Sequence, residues 1–406
     1  MKPLFLSRLY ESVQPVASVY LDTSRDLDEP DRATALRWRG LRKNLLAHGA
    51  DEDSVHAIDH VVGRDHGCAG RHGQAVFASA GRILLDECLP EPPPRDTARY
   101  GALPHVLPLL FQRAPDVPYA AVVVHRVHPP AEAGAAAEDE LELEYDLGRW
   151  PRTRVNSTAV HRRIPLTGWV EDAERLLGEL AGAVGGATEL VVLAGDAWAV
   201  NTMIRLAPAG LRGRFVRLRD TGLHRAEPGR AVLEHEVELL MADRLTEHDQ
   251  RRLDAFLARR AVGRRADGPR TGHPAADHPD AERSGADGPG AAEGLAETVT
   301  LLQRGRAAAL FLNRPFPEPP PLWVGPRPTD LAPAAADLQA FGVGYYWEDE
   351  AGDALVRAAV GTGTDVIAVP ADQAEFTDGL AVLPRYGTAG TTARTGGRAV
   401  QDVTRR

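Results

Sequence analysis

The sequence predicts a multidomain protein of mixed α/β and α+β class. Three observations carry that expectation. The chain has 406 residues, room for several domains at roughly 100 to 200 residues each. Short β-branched runs alternate with segments of helical period. And residues 264–293, from Arg264 through Gly268-Pro269 and His273-Pro274 to Gly288-Pro289, hold no Leu, Ile, Val or aromatic side chain. Such a stretch has too little apolar surface to offset its ordering entropy. It divides the chain as a disordered linker. The expected division is an α+β domain at 1–99, a middle α/β domain at 100–263, the linker, a smaller α/β/α domain at 294–386 and a disordered tail at 387–406.

In the first block Val16 to Leu21 reads as a strand. Asp31 is a candidate cap for a helix on which Trp38, Leu41 and Leu45 recur at helical spacing. A short helix over Asp53 to Val62 follows, then two strands in Gln74 to Leu85 joined at Ala80-Gly81. Pro90 and Pro92 to Pro94 interrupt regular structure over Leu89 to Pro104. In the second block, Tyr119 to Arg126 and Glu140 to Tyr145 are strand candidates. Trp169, Ala173, Leu176, Leu177, Leu180 and Val184 share one helical face. Glu189 to Ala194 is a buried strand ending at Gly195-Asp196, Phe215 to Leu218 is another, and a long helix or helix pair spans Arg230 to Val262. The third block alternates helix Leu295 to Arg304, strands Ala308 to Leu312 and Leu322 to Gly325, helix Asp353 to Val360, and strands Asp365 to Pro370 and Leu380 to Leu383. Strands alternating with helices indicate layered α/β architecture.

Composition narrows function by exclusion. Net charge is −10, which argues against broad adhesion to nucleic acid, because sequence-independent phosphate binding needs a positive field. Any RNA contact is therefore local. Only Lys2 and Lys43 of the 47 basic residues are lysines, so local contacts would be made by arginine, whose fork of donors matches phosphate and whose plane stacks on bases. No apolar run is long enough to cross a bilayer, and the N-terminus lacks a leader-like apolar stretch. The expectation is a cytoplasmic protein without membrane association. Two cysteines, Cys68 and Cys88, are too few for a disulfide framework, and reduced thiols are expected. His66, Cys68, His72 and Cys88 include the residue types zinc takes, but no Cys-x-x-Cys occurs and the deaminase pattern is not met, so no metal is assigned. Phosphate-loop, dinucleotide and nucleophile-elbow motifs are absent. No cofactor is expected.

The most informative stretch is 146–168. Arg149, Arg152, Arg154, His161, Arg162 and Arg163 stand in a segment without apolar periodicity, just before the strongest helix, and read as a solvated loop of an arginine-rich chain or as a loop that contacts RNA, with a small anionic ligand as the remaining reading. Helix Asp31 to Leu46 carries Arg32, Arg37, Arg39, Arg42 and Lys43, which read as an ordinary solvated helix surface or as a second basic face for RNA. Asp196, following a buried strand, reads as a helix cap, and so does Asp372. Gly73-Gln74 reads as a structural turn into a strand.

The order of Val19-Tyr20-Leu21-Asp22-Thr23-Ser24, Leu36-Arg37-Trp38-Arg39, Gly70-Arg71-His72-Gly73-Gln74-Ala75, Leu89-Pro90-Glu91-Pro92-Pro93-Pro94-Arg95-Asp96, Leu190 to Asp196 and Leu322-Trp323-Val324-Gly325-Pro326 resembles the bacterial relatives of archaeo-eukaryotic peptide-chain release factors. The nearest branch looks like the actinobacterial one, similar to the ribosome hibernation factor Balon and related to pelota. The resemblance implies an RNase H-like middle domain, an L7Ae-like C-terminal domain, and a place in the ribosomal A site. Its implied partners are the ribosome (rRNA and tRNA) and an elongation factor, with the chain itself a monomer. Release factors of this superfamily hydrolyse peptidyl-tRNA with a Gly-Gly-Gln loop before the long middle-domain helix. Here Asn156 to Thr167 holds that place and contains no glutamine. Orienting water at an ester needs a positioned amide and the close backbone approach glycine permits. The Asn-Ile-Lys-Ser codon-reading loop is also missing. The reading is a noncatalytic, ribosome-binding factor for idle or stalled ribosomes, with no catalytic residue. The enzymatic alternative is a peptidyl-tRNA hydrolase using His161, and a third is a stress-related protein-binding scaffold.

Overall fold

The computed structural model describes residues 4–11, 14–26, 28–64, 68, 71–127, 139–151, 160–182, 188–218, 237–241, 244–266 and 291–385. The core of the 264–293 segment, the 387–406 tail, His66, Arg152, Arg154, Val184 and Leu233 therefore lie outside the described residues. The ends of the expected linker are ordered: a helix continues to Ala266, and Ala292–Glu293 pair as a strand.

The N-terminal module is a four-stranded antiparallel sheet in the order β3-β2-β1-β4, formed by β1 (Val16–Asp22), β2 (Gly73–Ser79), β3 (Arg82–Leu89) and β4 (Thr97–Gly101). Ala80 (φ 47°) and Gly81 (φ 74°) make the β2–β3 turn, the paired positive φ that a two-residue hairpin requires. Helices α1 (Pro30–Ala47) and α2 (Glu52–Asp59) cover one face, where Trp38, Leu41, Leu45, Val55 and Ile58 meet Ala17, Val19, Leu21, Val76 and Ala78. Asp51 caps α2 by accepting from the Ser54 N–H at 2.7 Å. Asp31 does not cap α1: Glu29 holds that position, Pro30 begins the helix, and Asp31 pairs with Arg25. Nor do the prolines exclude regular structure over 89–104. They end at Pro94, and β4 then pairs with β1.

The middle sheet has the order β7-β6-β5-β8-β9, built from β5 (Val117–Val127), β6 (Glu140–Trp150), β7 (Val160–Pro165), β8 (Leu190–Gly195) and β9 (Phe215–Arg217). An antiparallel meander β5-β6-β7 is followed by the parallel strands β8 and β9, the mixed sheet expected of an RNase H-like domain. Helices α4 (Trp169–Gly182) and α5 (Ala197–Leu206) cover one face, with Trp169, Ala173, Leu176, Leu177 and Leu180 against Val122, Val124, Leu141 and Leu193. Val237 and Met241, in a helical turn at 237–241, cover part of the other.

The C-terminal sheet is β10-β16-β11-β15, from β10 (Ala292–Glu293), β11 (Ala307–Arg314), β15 (Asp365–Pro370) and β16 (Leu380–Pro384). A small sheet, β12 (Leu322–Val324), β13 (Leu331–Ala332) and β14 (Trp347–Asp349), lies between. Of the helix or helix pair expected over 230–262, the described residues show a pair, broken at 244–246. Its second part, α6 (Glu247–Ala266), places Leu253 and Phe256 on Phe311, Ile367, Val369 and Phe376 of the C-terminal sheet. The opposite face takes α7 (Leu295–Gln303) and α9 (Ala351–Thr362), giving an α/β/α sandwich. A six-residue helix, α8 (Ala335–Ala340), packs near β13.

One apolar core joins the first and last modules. Leu6, Leu9, Tyr20 and Phe77 continue through Leu103, Val106, Leu109 and Leu110 of the β4 to α3 (Leu107–Arg113) segment into Leu302, Leu310, Leu355 and Leu380. Strand β2 is buried at every position because both faces of the N-terminal sheet are covered.

Two further expectations are corrected. Cys68 and Cys88 are joined, with Sγ–Sγ 2.03 Å and Cα–Cα 6.9 Å, because the hairpin brings the end of β3 beside the chain entering β2. Asp372 caps no helix; it sits exposed in the turn after β15.

Candidate nucleic-acid interface

The basic stretch expected as a loop is largely sheet. Arg149 lies near the end of β6, and His161, Arg162 and Arg163 lie on β7, the edge strand of the middle sheet. The extended register places Arg163 across from Glu142, Arg162 across from Leu143 and His161 across from Glu144. The alternation of glutamate and leucine in Glu140 to Tyr145 makes this pairing. Leucines enter the core and glutamates face outward beside the basic strand, where opposite charges across a pair are favourable.

The chain's own carboxylates meet several of these cations. Arg149 makes a bidentate contact with Asp116, Nε to Oδ1 at 2.6 Å and Nη2 to Oδ2 at 2.8 Å, and also donates to the Asp116 carbonyl. Hydrogen bonding to Asp116 is the main cause raising its pKa further. Arg162 lies 3.7 Å from Glu179 and over the Tyr145 ring at 5.9 Å, and the Tyr145 hydroxyl donates to Glu179 at 2.9 Å. The His161 ring is 4.0 Å from Glu144 and 59% exposed. Arg163 is exposed. The structure thus brings His161, Arg162 and Arg163 together on one strand and fixes Arg149 to a separate partner.

On α1 the basic residues divide by helical phase. Arg37 turns inward to Asp22 at 2.9 Å and Asp96 at 3.6 Å, and Arg42 reaches Asp59 at 3.4 Å. Arg39 and Lys43, one turn apart, point outward with no ion pair to any described residue. They share a stripe with Leu36, which is 65% exposed. Among the described site residues, this outward pair and the exposed Arg163 are those with no ion pair to a described residue.

Asp196 is the helix cap the sequence suggested. Its carboxylate accepts from the N–H groups of Trp198 and Ala199 at 3.0 and 2.9 Å and pairs with Arg126 at 3.0 Å. Burial opposes the charge, but these donors and Arg126 hold the carboxyl below its usual range. Gln74 is likewise structural. It accepts from the Gly63 N–H and donates to the Val61 carbonyl and to Asp86, so its amide is committed to folding.

Sequence reasoning missed one concave surface. A cleft of about 600 Å³ in the C-terminal module is lined by Arg304, Arg327, Asp330, Phe341 and Tyr345, among others. Phe341 and Tyr345 are 69% and 70% exposed. The signal was present in Phe341-Gly342-Val343-Gly344-Tyr345-Tyr346-Trp347, aromatics set between glycines without helical or strand period.

Residues 118–262 match the model of bacterial archaeo-eukaryotic release factor family 2. Two curated proteins of Mycobacterium tuberculosis, the uncharacterized proteins MT2704 and Rv2629, are each 36% identical over 111 residues, 27% of this chain. The match spans 29% of each relative's length. Among solved structures, the archaeal translation termination factor aRF1 is 12% identical, with 95% of this chain and 96% of that chain covered and a TM-score of 0.19. The Pelota protein of Thermoplasma acidophilum is 11% identical over 95% of this chain and 93% of its own, with a TM-score of 0.21. At such scores these likenesses carry no weight, and the assignment rests on the sequence match. The likeness is thus confined to the middle of the molecule, where residues 118–262 are similar to bacterial archaeo-eukaryotic release factor family 2.

Proposed function

We propose that the protein is a noncatalytic, ribosome-binding factor that occupies the A site of idle or stalled ribosomes. The observation that carries this reading is the family 2 match over a middle domain whose hydrolytic position, Asn156 to Thr167, has no glutamine. A release-factor scaffold without a positioned amide keeps the means of binding and lacks the means of orienting water. Arg39 and Lys43 of α1 and Arg163 of β7 would make the principal phosphate contacts. Arg162, His161 and Arg149 would contribute less, since RNA must compete with Glu179, Glu144 and Asp116 for them, and Arg152 and Arg154 would add phosphate contacts of their own. A translation GTPase of elongation-factor type would be the delivery partner, and the compartment would be the cytoplasm.

The test is co-sedimentation of the full chain with purified ribosomes across a salt series. Log affinity should fall linearly with log salt, by somewhat under one unit of slope per phosphate contact. Arg39→Glu with Lys43→Glu should weaken binding about tenfold or more, with a shallower slope; Arg162→Glu with Arg163→Glu should do so less strongly. If neither double variant changes co-sedimentation, the interface is wrong. Release of nascent peptide from stalled ribosomes, lost in His161→Ala, would replace this reading with the peptidyl-tRNA hydrolase.

A further inference from the structure

Three side chains outside the RNA-facing surfaces gather in the N-terminal module. Cys68 precedes β2, His72 immediately adjoins it, and Cys88 lies near the end of β3; their sulfur and imidazole ligand atoms all fall within 4.8 Å of one another. They are 4%, 3% and 7% exposed. Their supports come from different parts of the chain. Both main-chain groups of His72 are held, its carbonyl by the Thr23 N–H and its N–H by the Ser24 hydroxyl oxygen at 3.2 Å. Cys88 is fixed by β-pairing to Gln74. The imidazole is therefore delivered to the two sulfurs by the sheet itself.

Two sulfurs and one imidazole form a soft to borderline donor set, the chemistry that selects zinc and similar transition metals. In a tetrahedral site, with metal–sulfur near 2.3 Å and metal–nitrogen near 2.0 Å, adjacent ligand atoms stand about 3.5 to 3.8 Å apart. A 4.8 Å cluster reaches that spacing by side-chain rotation once the sulfur–sulfur bond is opened. A cysteine pair in a reducing compartment is more often a metal or redox site than a structural bridge. That compartment argument rests on the proposed function; the geometry does not.

We propose that Cys68, His72 and Cys88 form a redox-gated site for a zinc-like divalent metal. In the oxidised state the Cys68–Cys88 bond excludes the ion. A dithiol reductant supplies two electrons and two protons, becoming a disulfide itself and leaving two thiols on the protein. The metal then binds both sulfurs as thiolates, releasing those two protons, and takes one ring nitrogen of neutral His72. Either state ties the chain before β2 to β3, by a covalent bond or through the ion, so the module keeps a cross-link across the change.

The test uses the full chain and cobalt(II) as a spectroscopic probe, followed by zinc retention measured by elemental analysis. Protein reduced with dithiothreitol and freed of it should take up about one metal per chain and develop a thiolate-to-cobalt charge-transfer band. The oxidised protein should do neither. Because this comparison uses one sequence in two redox states, it does not depend on a variant folding. Cys68→Ser and Cys88→Ser should each abolish the band, and His72→Ala should weaken metal affinity at least tenfold, in the range seen for lost ligands and their supports. A reduced wild-type chain that takes up no metal, a band that persists in Cys88→Ser, or an unchanged affinity in His72→Ala would each overturn the site. Ribosome binding is not part of the readout, so failure here and failure of the proposed function are separate results.

Discussion

His105 shows how much one side chain can decide in this fold. Its Nδ1 lies 2.8 Å from Asp353 and 3.3 Å from Glu350, and Arg99 bridges to the same carboxylates. Burial works against its charge, yet the hydrogen bonds to Asp353 and Glu350 prevail and raise its pKa to about 9. A histidine whose folded pKa lies above the unfolded value of about 6.5 contributes fully below that value and loses the contribution as pH rises through the folded one. Stability should therefore decline between about pH 6.5 and 9. Urea unfolding of the wild type should lose on the order of 2 kcal/mol across that range relative to His105→Gln; parallel curves for the two proteins would show that the pair does not sense pH. On the acid side the hydrogen bond from His105 holds Glu350 below its usual range, so its share is lost as pH falls.

At the level of elements, the passage from β8 to α5 depends on Gly195. Its φ is +103°, and an added Cβ would stand 2.0 Å from the Val124 carbonyl oxygen. This close approach of the strand end to β5 sets Asp196 where its carboxylate accepts from the first-turn N–H groups of Trp198 and Ala199 in α5. Gly195→Ala should destabilise the middle domain by about 3 kcal/mol or more, combining left-handed backbone strain with overpacking; a melting temperature within a degree of wild type would refute this. Helix α6 offers the complementary case. Its apolar residues serve the C-terminal sheet although it follows the middle domain in sequence. Phe256, which is fully buried between Phe311 and Phe376, should cost about 3 to 5 kcal/mol when truncated to alanine. Hydrogen exchange should then quicken in β11 and β16 while β8 keeps its protection; faster exchange in β8 instead would place the helix with the middle domain.

Across the whole molecule, the first and last modules are held as one body by apolar contact and a buried acid. Asp353 is 1% exposed and accepts from the Val106 N–H at 2.9 Å as well as contacting His105. Gly352 beside it admits Leu107 so closely that an added Cβ would lie 2.1 Å from that side chain. Asp353→Leu removes the nearer of the two carboxylates on His105 and leaves the Val106 N–H without its acceptor, and should cost about 3 to 5 kcal/mol. If the modules are coupled through this contact, calorimetry of the variant should resolve separate melting of the two; a single unshifted transition would count against the coupling.

Much of the fold was legible in the sequence because strands and helices announce themselves by local period. The Trp169 to Leu180 face, the β8 strand, the Asp196 cap and the Ala80-Gly81 turn all depend on neighbours within a few residues, and so does the absence of glutamine from Asn156 to Thr167. Other features were set by partners far along the chain. Strand β7 reads as a loop until Glu140 to Tyr145 lies beside it, and β4 looks broken by prolines until β1 supplies its hydrogen bonds. Arg37 and Arg149 look free to grip RNA until Asp22 and Asp116 are brought to them. Cys68 and Cys88, twenty positions apart, meet only because a hairpin returns the chain. Sequence alone determined the elements that carry a strong local period, since propensity and periodicity are local. Only tertiary structure decided which charges remain available, because neutralisation is a matter of distance in space.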